Sequence, residues 1–206
     1  MIWDTHIENI LNKVSRMVGI LNRLKHELPS SILRTIYCSL VQSHLTYAIT
    51  AWCTSTPPAR LQILQKKAIR AIQKSKYNSH TEPLFKQLNL LRLDYLQQLN
   101  LCKLYFQCKG GKTSSYIESQ VKTNREVHLQ NTRQADHIHI PIQDSPHSLT
   151  YKPANAWNPL PTDYKNLNLS KNTFVKRLHH TLMLCMYQVI INQQSHKVHY
   201  FYAITS

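Results

Sequence analysis

Apolar residues recur at three-and-four spacing through the first half of the chain, the periodicity of amphipathic helices rather than strands. Ile7, Ile10, Leu11, Val14, Val18, Leu21 and Leu24 form one stripe. They predict a first helix from about Asp4, acting as N-cap, to about Glu27. Leu28-Pro29-Ser30-Ser31 is a stop-and-restart signal, in which Pro29 breaks the first helix and a serine caps the second. The run from Ile32 to Trp52 is the apolar centre of the chain. Ile32, Leu33, Ile36, Leu40 and Val41 share a face, and Leu45, Ala48, Ile49 and Trp52 follow after the polar interruption Gln42-Ser43-His44. This pattern predicts one central packed helix or two shorter ones. Thr54 to Pro58 is a turn, and a proline there opens a third helix from Ala59 to about Lys76, with Leu61, Leu64, Ala68 and Ile72 inward. A short helix at Pro83–Leu88 and a longer one from about Leu91 to Lys109 come next. The apolar residues of the longer one make no clean stripe, and Gly110-Gly111 ends it.

Beyond Gly111 the pattern changes. Lys112 to Asn131 is polar and reads as a linker, and His137-Ile138-His139-Ile140 alternates as a short strand would. Prolines at 141, 146, 153, 159 and 161 keep regular structure sparse until Ser170. Ser170 caps a final helix, Lys171 to about Asn192, with Phe174, Leu178, Leu182, Cys185 and Val189 as its face. The ending, His196 to Ser206, is aromatic and aperiodic and receives no assignment. The expected fold is mainly α. A helical domain covers residues 1–109 and a polar linker covers 110–136. An irregular, proline-rich extension covers 137–206 and ends in one helix at about 171–192.

Charge sharpens this picture. The 206 residues carry 25 Lys+Arg against 10 Asp+Glu, a formal net charge of +15. Such an excess suits a polyanion, because each phosphate neutralised releases condensed counterion. No Asp or Glu occurs from Leu28 through Thr81, whereas Lys66, Arg70 and Lys74 recur every four residues, with Arg60, Lys67 and Lys76 nearby. A charge run on a helix is ordinarily a solvated face. The missing acids favour a phosphate-facing ridge instead, with Lys66, Lys67, Arg70 and Lys74 as its candidate residues. Tyr47, Trp52 and Tyr77 are near enough in sequence to stack on bases or sugars, although such aromatics more often serve a core or an interface.

Several chemistries are disfavoured. The only glycines are Gly19, Gly110 and Gly111, from which neither GxGxxG nor GxxxxGK[ST] can be built. The carboxylates are scattered, so no spacing suggests a two-metal site, and no GxSxG elbow is present. Five cysteines without a CxxC pair indicate reduced thiols in the nucleus or cytoplasm. His137 with His139, or His179-His180 on the last helix, could join a cysteine in a metal site. Surface histidines on a basic protein are the simpler account, so no metal site is assigned. The longest apolar run, Leu182 to Ile191, is about half the roughly 20 residues a spanning helix needs, and no secretory signal opens the chain. A membrane is not an expected partner.

Beyond these physical readings, ordered sequence pieces carry a resemblance. They are Trp3-Asp4-Thr5-His6-Ile7, Lys13, Gly19-Ile20-Leu21, Leu28-Pro29, Leu33, Tyr37-Cys38-Ser39-Leu40-Val41, His44-Leu45-Thr46-Tyr47 and Trp52. Leu61, Leu64-Gln65-Lys66-Lys67-Ala68-Ile69-Arg70, His80-Thr81 and Pro83-Leu84-Phe85 follow. Thr132-Arg133, Pro141, Ser148-Leu149-Thr150-Tyr151, Ala156-Trp157-Asn158-Pro159-Leu160-Pro161 and Phe174 complete the set. Together they resemble the segment downstream of the palm in reverse transcriptases of non-LTR, LINE-type retrotransposons such as the Jockey kind, over about Trp3 to Tyr187. The resemblance implies a thumb-like helical bundle at residues 1–109 and a post-thumb extension. The family's palm motif, Tyr or Phe followed by Ala-Asp-Asp, is absent, as are its endonuclease and zinc-knuckle elements. No catalytic residue carries over, and the magnesium of a parent polymerase has no site implied here. A backbone-binding role carries over to Lys66, Lys67, Arg70 and Lys74. The expected function is therefore that of a polymerase fragment, not itself an enzyme, which binds RNA, DNA or an RNA/DNA hybrid and docks on the palm of a parent polymerase. The alternatives are a helical protein-interaction module and a decayed transposon-derived reading frame.

Overall fold

The computed structural model describes residues 3–52, 58–128, 133–140, 151–165 and 169–193. The turn expected at Thr54–Pro57, the stretch 141–150 and the ending at 196–206 lie outside these residues. The architecture is mainly helical. The chain divides into two compact units: Met1–Gln97 with Met183–Ile190, and Gln98–Leu182 with Ile191–Ser206.

In the first unit, α1 (Asp4–Leu24) buries Ile10, Leu11, Val14, Val18 and Leu21. Trp3, not Asp4, occupies its N-cap. Asp4 sits in the first turn, where its charge complements the helix dipole. The central run is helical from α2 (Ser30–Ile36) through a π-helical stretch, Tyr37–Gln42, to α3 (Ser43–Thr46). Pro29 holds the N-cap of α2 and no serine side chain caps it. Hydroxyls accompany the widened register. Ser39 donates to the carbonyls of Thr35 and Ile36, Ser43 to that of Ser39, and Thr46 to that of Gln42. Such back-bonding competes with regular α-helical pairing and bends helices. Ala48, at a φ of 48°, then reverses the chain into α4 (Ile49–Trp52). The run is thus a longer and a shorter helical piece rather than one helix.

α5 (Ala59–Ile72) packs chiefly on α1 and is followed by α6 (Glu82–Gln87). Gln65 fastens α5 to its surroundings although it is only 1% exposed. Its Nε2 donates to Tyr37 Oη and to the Leu91 carbonyl, both at 3.0 Å, and its Oε1 accepts from the Leu93 amide at 2.9 Å. A buried amide with both ends satisfied fixes one arrangement where an unpaired one would disrupt it. Burial also raises the pKa of the Tyr37 phenol, which stays protonated as Gln65's partner.

α7 (Leu93–Lys109) lacks a clean apolar stripe, and it is shared between the units: Leu93 and Leu96 are buried in the first, and Leu99, Leu101, Cys102, Tyr105 and Phe106 in the second. In the second unit, Tyr105 meets Trp157 at 4.5 Å between ring centroids, and Phe106 stacks on Phe174 at 4.4 Å. Trp157 closes α10 (Tyr151–Trp157), and Phe174 belongs to α11 (Lys171–Gln193), with Leu178 and Leu182 beside it in the core. Ser170 caps α11, as its Oγ accepts from the Thr173 amide at 3.1 Å.

The stretch expected to be a linker contains α8 (Ser115–Gln120) and α9 (Asn124–His128). Thr123-Asn124-Arg125-Glu126 is a capping-box sequence, and Glu126 Oε2 accepts from the Thr123 amide at 2.9 Å. The strand expected at His137–Ile140 is reduced to one isolated antiparallel bridge between Thr123 and Ile138. Asn158 side-chain bonds occupy both main-chain polar groups of Ile138, at 2.8 and 3.1 Å, in place of a longer ladder.

Candidate nucleic-acid interface

The basic face of the first unit follows from how α5 ends. The helix stops at Ile72, not near Lys76. The Lys74 amide donates to the Ala71 carbonyl at 3.2 Å and the Ser75 amide to the Arg70 carbonyl at 3.0 Å. With Lys74 at a φ of 52°, this is a Schellman turn with lysine in the position that favours glycine. Lys66 and Arg70 therefore share the helix, while Lys74 leaves it and projects from the turn.

Arg70 holds the turn from its other side. Its Nε donates to the Ser79 carbonyl at 2.9 Å, using one of the five guanidinium N–H groups. Arg70 and Lys67 join Lys25, from the turn after α1, in lining a hollow of about 220 Å3. Asn22, Ser75 and Tyr77 complete its polar wall, and no carboxylate lines it. Lys67 is exposed, and Tyr77 is 80% exposed at the rim. Three cations on one concave surface, with hydroxyl and amide groups between them, can meet the oxygens of a phosphate group.

Of the four residues expected to form a ridge, the hollow gathers Lys67 and Arg70. Lys66 is half-buried on α5 and Lys74 is exposed on the turn; neither lines it. Lys25 and Asn22 were missed in sequence because they become neighbours of α5 only when α1 packs on it. Arg60, counted among the surrounding cations, pairs with Glu8 of α1. Among the aromatics, Trp52 is fully buried and its indole N–H donates to the Tyr47 carbonyl at 2.6 Å, so it offers no stacking face. Tyr47 is 70% exposed at the turn before α4, away from this lining.

The histidines noted in sequence are also placed. His139 Nδ1 lies 3.1 Å from Asn124 Oδ1 and its ring meets that of His128 at 5.0 Å. His180 is exposed on α11. Among the described residues no three His, Cys, Asp or Glu side chains converge as a metal site. The Cys102 thiol is buried, which raises its pKa, and donates to the Ala156 carbonyl at 3.4 Å. No described helix is long and apolar enough to cross a membrane.

No family model, curated protein or solved structure matches this chain.

Proposed function

We propose that this chain binds the phosphate backbone of RNA, DNA or their hybrid through the α1–α5 hollow, as the thumb-like and post-thumb part of a non-LTR retrotransposon reverse transcriptase. The observation that carries the reading is the convergence of Lys25, Lys67 and Arg70 on one hollow with no acid in its lining. The ordered sequence resemblance supplies the parent family. In this reading the chain performs no bond-making step, because the paired aspartates of the palm are not part of its sequence. A nuclear or cytoplasmic setting follows from the same reading. The palm of the parent polymerase is the proposed protein partner, and Ile32 and Leu40 on the central run expose apolar surface that such a partner would cover.

Salt-titrated binding to duplex DNA, single-stranded RNA and a hybrid tests the proposal. Each phosphate contact contributes roughly 0.9 to the log–log salt slope on duplex DNA and about 0.7 on single strands. Lys25→Gln and Lys67→Gln are expected to lower affinity and slope together on every sequence, while Lys66→Gln changes neither. An effect of Lys66→Gln alone would return the site to the ridge. Slopes unmoved by all three substitutions would remove nucleic-acid binding through this face.

A further inference from the structure

A second basic hollow lies wholly in the second unit. It has a volume of about 500 Å3, within the range of roughly 300–1,000 Å3 usual for small-molecule sites. Its cations come from separate stretches: Lys109 at the end of α7, Arg125 in α9, Arg133 on the following turn and Lys165 beyond the 3-10 turn Thr162–Tyr164. These stretches are tied together. The Asn124 amide donates to the His137 carbonyl at 3.0 Å, and the Arg125 amide to the Ala135 carbonyl at 2.9 Å. Asn158, already bonded to Ile138, accepts at its own carbonyl from Lys165 Nζ at 3.0 Å. The cation cluster is therefore a product of the fold, unlike a charged stripe along one helix.

Two of the four cations are balanced. Lys109 meets Glu126 at 2.7 Å and Arg125 meets Asp136 at 3.3 Å. The lining thus holds four Lys or Arg against two carboxylates, an excess of two positive charges carried by Arg133 and Lys165. Burial lowers the pKa of Lys165, only partly offset by Asp136. Burial, and then the charge of Lys165, lowers that of His137 on the same wall. Burial is thus the main force against the charged form of both bases, and an anion bound beside them would favour that form. Tyr105 and Trp157 supply apolar wall. An inorganic ion alone would leave most of the volume empty.

We propose that this cavity binds a phosphate monoester carried on an organic body of nucleotide size, with Arg133 and Lys165 holding the phosphate. The pairs Lys109–Glu126 and Arg125–Asp136 neutralise two of the cations, leaving Arg133 and Lys165 to meet the ligand's oxygens. Such a group has two natural sources, a free mononucleotide and the 5′-phosphorylated end of a nucleic-acid strand.

Calorimetric titration of the full chain with AMP, adenosine, and two short single-stranded DNAs differing only in a 5′-phosphate or 5′-hydroxyl tests this. AMP is expected to saturate the chain at about 1 mM or below, with adenosine at least about tenfold weaker. Arg133→Gln/Lys165→Met is expected to lose about tenfold in AMP affinity, while Lys25→Gln/Lys67→Gln leaves it unchanged. A mononucleotide site binds AMP more tightly than the phosphorylated strand. A strand-end site prefers the phosphorylated DNA over its hydroxyl twin, and the preference disappears in Arg133→Gln/Lys165→Met. Either result supports the proposal. Equal binding of AMP and adenosine, no binding of any phosphorylated probe, or an unchanged AMP affinity in the folded double variant overturns it. Lys165 also anchors Asn158, so if the double variant does not fold, Arg133→Gln alone decides: a loss of about threefold or more supports the site and an unchanged affinity overturns it.

Discussion

The two basic hollows follow opposite rules of construction. In the first unit Lys67 and Arg70 lie one turn apart on a single helix, Lys25 alone comes from elsewhere, and no carboxylate lines the surface. In the second unit four cations arrive from separate stretches, and two of them are bound to acids. The first hollow is the smaller, at about 220 Å3 against about 500 Å3, and its Lys67 faces solvent. Exposed charges are screened within about 8 Å at physiological salt, so in the proposed reading a surface of this kind would act by summing weak contacts along a repeating polyanion. In the second hollow Lys109 and Lys165 are partly buried and so screened less, whereas Arg125 and Arg133 are exposed. The comparison separates the proposed backbone-tracking surface from the proposed site for a single phosphate.

The largest expected effect comes from removing what holds the first hollow in place. Gln65→Leu keeps a similar volume but deprives Tyr37 Oη, the Leu91 carbonyl and the Leu93 amide of a partner. Each buried polar group left unpaired costs about 1–3 kcal/mol. We expect a loss of about 3 kcal/mol in urea unfolding, accompanied by weaker nucleic-acid binding. A loss below about 1 kcal/mol would show that α5 is positioned by apolar packing alone.

A smaller effect, opposite in sign, is expected at the rim of the same hollow. Three helices end in the same Schellman geometry, with Lys74, Asn89 and Gly111 at φ values of 52°, 50° and 62°. In each, the amides of that residue and of the next donate back to carbonyls of the helix's last turns. Only glycine adopts this conformation without steric cost, which is about 1–2 kcal/mol for other L-residues. Lys74→Gly should therefore raise stability by about 1 kcal/mol while deleting one cation. If Lys74 touches nucleic acid, the salt slope falls by about one; an unchanged slope confines contact to the hollow. A drop in stability would mean that the lysine side chain contributes more than the strain it causes.

The two regions also differ in how far their sequences could be read. The helical periodicity of Ile10 through Leu21 marked α1, and the apolar face of α5 was equally plain. Lys67 and Arg70 stood out because both lie in one acid-free run. Lys25 did not, since its proximity to them depends on α1 packing against α5. The cavity of the second unit was illegible for the same reason on a larger scale. Lys109, Arg125, Arg133 and Lys165 are separated by up to 56 residues in the chain, and non-local bonds to His137, Ala135 and Asn158 bring them together. One local signal was present and overlooked, the capping box Thr123-Asn124-Arg125-Glu126, which marks α9 inside a stretch read as linker. The His137–Ile140 alternation was a false strand signal: Ile138 finds its main-chain partners in an asparagine side chain instead of a neighbouring strand.

Glu126→Gln tests the comparison from the cavity side with the smallest change in structure. The Glu126 carboxylate is half-exposed. Burial tends to raise its pKa, but bonds from Lys109 and the Thr123 amide prevail and hold it below its ordinary value of 4.5. A carboxyl group depressed in this way contributes stability that is present above pH 4.5 and is lost as pH falls through its lower folded value. The substitution should therefore cost a little stability at neutral pH, and the difference from the unsubstituted chain should shrink as acid protonates Glu126 itself. The glutamine oxygen can still accept from Thr123, so α9 keeps its cap, while Lys109 loses its counter-charge and the cavity's excess rises from two positive charges to three. If that excess is what holds a phosphate monoester, AMP binds more tightly to Glu126→Gln than to the unsubstituted chain at pH 7, and the gain declines with added salt. Weaker AMP binding in a variant of unchanged helicity would assign Glu126 to the positioning of Lys109, and would make the ion pair, rather than net charge, the feature that distinguishes the cavity from the open hollow on α5.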